Sequence, residues 1–92
     1  VIQSFACPDT QAFFEGRPCP RFRNIRKVLE RKLQMLDGAQ VIGDLKAPPN
    51  NRLEKLKGAL AGSYSIRVNG QYRLVFRWTQ EGPADARCTD YH

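Results

Sequence analysis

Residues 63–78, SYSIRVNGQYRLVFRW, read as two alternating strands joined at Asn69-Gly70, with arginines set among the aromatics. An Asn-Gly pair usually marks a two-residue hairpin turn. Parity argues otherwise here. Residues directly opposite each other share a face, so a two-residue loop would set Ile66 against Arg73 and Ser65 against Leu74. An odd loop restores the match. With Val68, Asn69 and Gly70 as a three-residue loop and Gly70 in the left-handed conformation, Ile66 faces Tyr72, Tyr64 faces Leu74, Ser65 opposes Arg73 and Arg67 opposes Gln71. One face is then apolar, and the other carries Arg67, Arg73 and Arg77.

After the hairpin, Glu81-Gly82-Pro83 reads as a turn and residues 84–89 as a last strand with Ala86 and Cys88 on one face. Before it, residues 53–58 (LEKLKG) form a short extended piece with Leu53 and Leu56 inward, and residues 58–62 a flexible connection. Pro48-Pro49-Asn50-Asn51 breaks any helix and returns the chain to the sheet, with Val41, Ile42 and Leu45 anchoring the segment ahead of it. Residues 20–38 predict one long helix, because Phe22, Ile25, Leu29, Leu33 and Leu36 recur at three- and four-residue spacing and Gly38 stops it. A shorter helix is expected from Asp9 or Thr10, either of which can cap it, with Ala12, Phe13 and Phe14 as its apolar side. Residues 1–6 alternate as a short strand tied into the sheet. Helices followed by consecutive strands on short loops give an α+β order: a twisted, largely antiparallel sheet of four to five strands with two N-terminal helices packed on one face. The other face, bearing the arginines, is left open.

Ninety-two residues make a single domain, 1–92, with one modest core. Fifteen Lys and Arg against nine Asp and Glu give a net charge of +6, which suits either a solvated basic surface or a phosphate-bearing partner. Arg23, Lys27 and Arg31 repeat at four-residue spacing on the outer side of the long helix and admit the same two readings. No apolar run reaches membrane-spanning length, and residues 1–6 are too short and too alternating for a signal peptide, so a soluble, cytoplasmic protein is expected. Three cysteines, Cys7, Cys19 and Cys88, lack a framework spacing and fit small apolar residues better than disulfide partners. With one histidine they offer no paired ligand spacing, and neither a metal nor another cofactor is expected.

That histidine is His92, preceded by Asp90 and Tyr91. A chain end is normally frayed and idle, yet a last strand held inside the sheet would hold these three residues as well. Histidine titrates near neutrality, tyrosine donates or accepts a hydrogen bond, and aspartate orients either or acts as a base. One reaction fits such parts without a metal: attack of an RNA 2′-hydroxyl on the adjacent phosphate. It needs a group to take the hydroxyl proton, cations to hold the phosphorane and an acid for the leaving oxygen. Arg73 and Lys57 can supply charge, and His92, Asp90 or Tyr91 the proton transfers, while Tyr91 can also stack on a splayed base. A non-catalytic RNA-binding module would suit the same residues.

Several segments together resemble the HigB-type toxins of bacterial type II toxin-antitoxin systems, in the RelE superfamily. They are NRLEKLKG at 51–58, S-x-R-V-N-G-Q-Y-R-L-V-F at 65–76 and the terminal D-Y-H, with VIQSF at the start and ERKLQMLDGA at 30–39 in support. The resemblance implies a RelE-like fold and a ribosome-dependent endoribonuclease. Such an enzyme cleaves messenger RNA in the decoding site until a helix-turn-helix, HigA-like antitoxin neutralises it. Carried over by position, Arg73 becomes the phosphate-stabilising arginine, Lys57 a lysine beside the site, and Asp90, Tyr91 and His92 the catalytic and base-stacking group. Arg67, with Arg23, Lys27 and Arg31, becomes a candidate RNA contact on the message or ribosome. Glu54 stands where some members have a histidine; a glutamate among cations is a poor base, so it is read as structural and the general base is left unassigned. Val1 occupies the usual place of an initiator methionine. The related gyrase-directed ParE branch is the alternative within the superfamily, and the Asp-Tyr-His end with Arg73 counts against it.

Overall fold

A computed structural model describes residues 1–58 and 62–90. Helix α1 (Pro8–Phe14) and helix α2 (Arg26–Gly38) precede a four-stranded antiparallel meander of β1 (Glu54–Lys55), β2 (Ser63–Arg67), β3 (Tyr72–Thr79) and β4 (Gly82–Asp90), in the spatial order β1-β2-β3-β4. The fold is α+β. No described helix is long and apolar enough to cross a membrane.

The core forms where α2 meets one face of the sheet: Leu29, Leu33 and Leu36 pack with Ile66, Leu74, Phe76, Ala86 and Cys88. Each large side chain buried this way stabilises the fold by about 1.5–3 kcal/mol. Phe22 and Ile25 join the same cluster, as their spacing predicts, but from a different backbone. Residues Pro20–Ile25 form a 3-10 segment instead of the first turns of α2, with Phe22 at φ −106° and ψ 16°. Phe22 has no solvent exposure and sits edge-on to Phe13 at 5.9 Å and to Tyr72 at 6.1 Å. Seating that ring outweighs regular α geometry, and a three-residue step from Phe22 to Ile25 suits either helix type. Arg23 therefore precedes the break while Lys27 and Arg31 lie on α2; all three are exposed.

The start of α1 also differs from expectation. Cys7 is the N-cap residue and Pro8 opens the helix, whereas the buried Thr10 accepts a hydrogen bond at its Oγ1 from the Cys88 backbone N–H at 2.9 Å. Its hydroxyl satisfies the outer edge of β4 and is not a cap. Residues 1–6 make one parallel bridge, Phe5 to Ala86, and not a strand. The Ala86 N–H donates to Ser4 O at 3.1 Å and the Ala6 N–H to Ala86 O at 3.0 Å, but the Ile2 N–H turns away to the Asp37 carboxylate on α2 at 2.9 Å, which ends the pairing. At this seam Gly82 has φ +129°, and a Cβ there would lie 2.8 Å from Val1 O, so no side chain fits.

Residues 41–53 run through two short 3-10 turns, Ile42–Lys46 and Pro49–Asn51. Leu45 is buried and Ile42 packs on the core, but Val41 is 58% exposed and anchors nothing. Two polar residues do the anchoring. Asn51 has no exposure; its Oδ1 accepts a hydrogen bond from the Lys32 ammonium on α2, and its Nδ2 donates to Leu45 O and Ala47 O, each at 3.2 Å. Lys32 is itself only 3% exposed, and burial, with repulsion from Arg31 and Arg67, pulls its pKa below the usual lysine value.

In the β2–β3 hairpin the parity argument holds and the loop position does not. Ile66 pairs with Leu74, Tyr64 with Phe76, Ser65 with Val75 and Arg67 with Arg73, a shift of two residues from the expected register that leaves every side chain on its expected face. Val68 is 5% exposed and continues the strand, its N–H donating to Tyr72 O at 3.0 Å, because the core rewards an apolar residue there. The loop falls on Asn69, Gly70 and Gln71. Gly70 is not left-handed; Asn69 Oδ1 accepts from the N–H groups of Gln71 at 2.8 Å and Tyr72 at 2.7 Å and closes the turn itself.

Candidate functional site

On the sheet face turned away from α2, strand alternation assembles two rungs of residues. The first runs Arg67, Arg73, Thr89 across β2, β3 and β4; the next runs Glu54, Ser65, Val75, Arg87 across all four strands. Two arginines thus stand directly opposite each other, with a third one rung away on the neighbouring strand. Like charges facing across a strand pair repel, and the Glu54 carboxylate, 3.9 Å from Arg73 Nη2, offsets part of that repulsion. Ser65 and Val75, between the arginines, are small and buried, with 0% and 3% exposure.

Arg73 is fixed with unusual thoroughness for a surface arginine. Its Nε donates to Ser65 Oγ at 2.8 Å and its Nη2 to Arg52 O at 2.6 Å, and its side chain is 13% exposed. The Arg52 carbonyl is aimed by a left-handed backbone, φ 47° and ψ 56°, at the end of the Pro49–Asn51 turn. Glu54 stands 3.9 Å from Nη2 with its own side chain 58% exposed. A guanidinium held by a hydroxyl and a carbonyl keeps a set direction at little conformational cost. Arg67, half-buried, reaches towards the loop, where a Cβ on Gly70 would lie 3.9 Å from its Nη2.

The remaining predicted residues distribute around this pair. Arg77, beside the Val75/Arg77 bulge, is exposed and ion-paired to Asp85 at 2.6 Å, and that pairing lowers the Asp85 pKa. Lys57 is exposed just past β1. Asp90 pairs with Tyr72 one residue beyond the Arg73–Thr89 rung, which by alternation puts it on the helix-covered side and not on the arginine face, and it accepts from Gln71 Nε2 at 3.0 Å. Tyr91 and His92 lie outside the described residues; β4 ends immediately before them. Arg23, Lys27 and Arg31 belong to the helical layer, not to this face. Sequence reasoning missed Arg87, Ser65 and Arg52. Arg87 was within reach, since Ala86 and Cys88 on one face of β4 force it onto the other. Among the described residues no cluster of His, Cys, Asp or Glu could hold a metal.

Residues 5–92 match the family of HigB-like toxins, described as RelE-like toxins of the type II toxin-antitoxin system HigB. Over 55 residues the chain is 56% identical to Toxin HigB-1 of Vibrio cholerae serotype O1, a stretch that makes up 60% of this chain and 58% of that protein. It is 49% identical over 55 residues to an uncharacterized protein of Haemophilus influenzae, covering 60% and 54% respectively. The chain thus spans a little over half the length of these relatives. Among solved structures it is similar to a chain of the YoeB-YefM complex from Staphylococcus aureus, at 23% identity and TM-score 0.62 over 100% of this chain and 98% of that one, a likeness of fold alone. The YoeB dimer from the same organism gives 28% identity and TM-score 0.62 over 99% and 94%.

Proposed function

Because the chain belongs to the family of RelE-like toxins of type II toxin-antitoxin systems, HigB, we propose that it is an endoribonuclease that cleaves messenger RNA on the ribosome and so arrests translation and growth. The observation that carries this reading is the opposition of Arg67 and Arg73, with Arg87 one rung on, over a buried floor of Ser65 and Val75. Such a cluster concentrates positive potential on one face of the sheet, which suits a phosphate gathering charge. Arg73 holds the non-bridging oxygens of the scissile phosphate, and Arg67, Arg87 and Lys57 add positive potential. The 2′-hydroxyl oxygen attacks phosphorus as a base takes its proton; the bond from phosphorus to the 5′-oxygen breaks, and an acid protonates that oxygen. Asp90, Tyr91 and His92 supply these transfers and a ring for stacking, Asp90 by orienting its two neighbours, since its pairing with Tyr72 puts its own side chain on the helix-covered side of the sheet. No metal or other cofactor takes part. Arg23, Lys27 and Arg31 contact ribosomal RNA from the helical layer. The toxin acts in the cytoplasm and is neutralised by a HigA-like helix-turn-helix antitoxin; the YoeB-YefM complex shares its fold.

Primer extension on messages from translating extracts tests this. New ends inside codons, dependent on both the protein and ribosomes, are expected. Translation that stalls without new ends would leave a ribosome-binding protein and remove the nuclease; DNA damage with intact messages would point to a gyrase-directed toxin.

A further inference from the structure

Lys32 and Asn51 are charged and polar side chains buried between the helical layer and the sheet, and the chemistry above uses neither. Lysine is among the residues least often buried, and a buried ammonium is destabilising unless something compensates. Here the compensation is a chain of contacts that ends on Arg73. The Lys32 ammonium donates to Asn51 Oδ1, and Asn51 Nδ2 donates to Leu45 O and Ala47 O. Asn51 is thereby fixed in a turn whose N–H groups bond backward, Asn51 N to Pro48 O at 2.9 Å and Arg52 N to Pro49 O at 3.1 Å. The next residue, Arg52, is held left-handed, a conformation that a residue with a Cβ adopts at a cost. The result of that strain is a carbonyl aimed at Arg73 Nη2, 2.6 Å away.

We propose that Lys32 and Asn51 are positioning residues for Arg73: from the helical layer they lock the turn that presents the Arg52 carbonyl, and so fix the direction of the guanidinium on the opposite face of the sheet. Neither touches RNA. The carbonyl, not the Arg52 side chain, is the working part. The inference rests on the reading of Arg73 as the phosphate-holding group, but the anchoring can be measured without any RNA.

The test uses Lys32→Met, which keeps length and removes the charge, and Asn51→Ala, each compared with wild type as folded protein by circular dichroism. In ribosome-dependent cleavage the rate at saturation should fall about tenfold with half-saturation unchanged, since misaiming of this size acts on the reacting geometry. In an Arg73→Lys background, where the contact with the carbonyl is already lost, the same substitutions should cost less than twofold. Full additivity would overturn the proposal, because a general loss of stability adds whatever stands at position 73. Arg52→Gly, which accepts the left-handed backbone, should keep the Arg73 anchor; loss of the anchor there would overturn the backbone role. The readout independent of activity is the side-chain N–H NMR spectrum of Arg73. Wild type should give separate, slowly rotating Nη signals, and both substitutions should merge them. Merged signals in wild type, or unchanged ones in the variants, would also overturn it. Altered Arg73 signals with no cleavage by wild type would uphold the positioning and reject the nuclease instead.

Discussion

Arg73 and Leu74 are consecutive residues of one strand, and they belong to two different molecules in physical terms. Leu74 has no solvent exposure, pairs with Ile66 and Cys88, and lies in the apolar cluster that the sheet forms with α2. Arg73 pairs with Arg67 and Thr89 on a face where charge meets charge. The helix-covered side is organised by area removed from water, which tolerates any well-packed apolar residue. The arginine side is organised by direction, and gains little for stability from the residues it displays. One face therefore holds the fold and the other holds the chemistry, with one residue of alternation separating them.

Substitutions should split accordingly. The largest effect is expected for Arg73→Ala, which should lower messenger cleavage at least ~100-fold, the scale of removing one preorganised donor from a transition state, while antitoxin binding persists. A folded Arg73→Ala protein that still cleaves normally would erase the distinction between the faces. Leu74→Ala should do the reverse, lowering unfolding free energy by about 2–5 kcal/mol in denaturant titration while the folded fraction keeps its cleavage rate. Cys88, next to that core, adds a pH signature. Burial pushes its thiol up to about 12, above the ordinary value of 9.0. The unfolded chain then loses the proton first as pH rises, so stability is intact below about pH 9 and falls by about 1.4 kcal/mol per unit above it. Cys88→Ala should flatten that fall in chemical denaturation at alkaline pH. The smallest effect is expected for Arg77→Ala. Arg77 is an arginine of the same strand, but its side chain is 53% exposed and paired to Asp85. Neither cleavage nor melting temperature should change measurably. A large loss there would extend the working surface past the bulge.

Much of the two-faced sheet was legible in the sequence, because alternation is a property of the strand itself. Tyr64, Ile66, Tyr72 and Leu74 could be assigned to one side and Arg67 and Arg73 to the other before any partner was known. The helix periodicity likewise identified Phe22, Ile25, Leu29, Leu33 and Leu36 as core. What stayed hidden depends on the third dimension. Val68 looks like a loop residue until a core exists to bury it, and that burial moved the loop one residue along and the strand pairing by two. The change from 3-10 to α geometry at Ile25 follows from seating Phe22 under Phe13 and Tyr72, which no local pattern encodes. Lys32 reads as one more cation on a helix, since the asparagine that receives it is 19 positions away. The facing of Arg67 by Arg73 was hidden by the same two-residue shift, although it is the feature on which the functional reading most depends.

The seam between the first residues and β4 has a consequence for life at high concentration. The nine-residue β4 is the last strand of the sheet, and its outer N–H groups at Ala86 and Cys88 are taken up by Ser4 O and Thr10 Oγ1. At the other border, β1 is two residues long. An open strand edge of β4's length is a template on which a second chain can extend the sheet, and proteins that leave one bare tend to aggregate. Residues 3–6 act as a sacrificial partner that occupies the template without adding a full strand of their own. Gly82, by leaving room for Val1, lets that guard lie flat. A side chain at position 82 would lift it and convert a quiet border into an adhesive one.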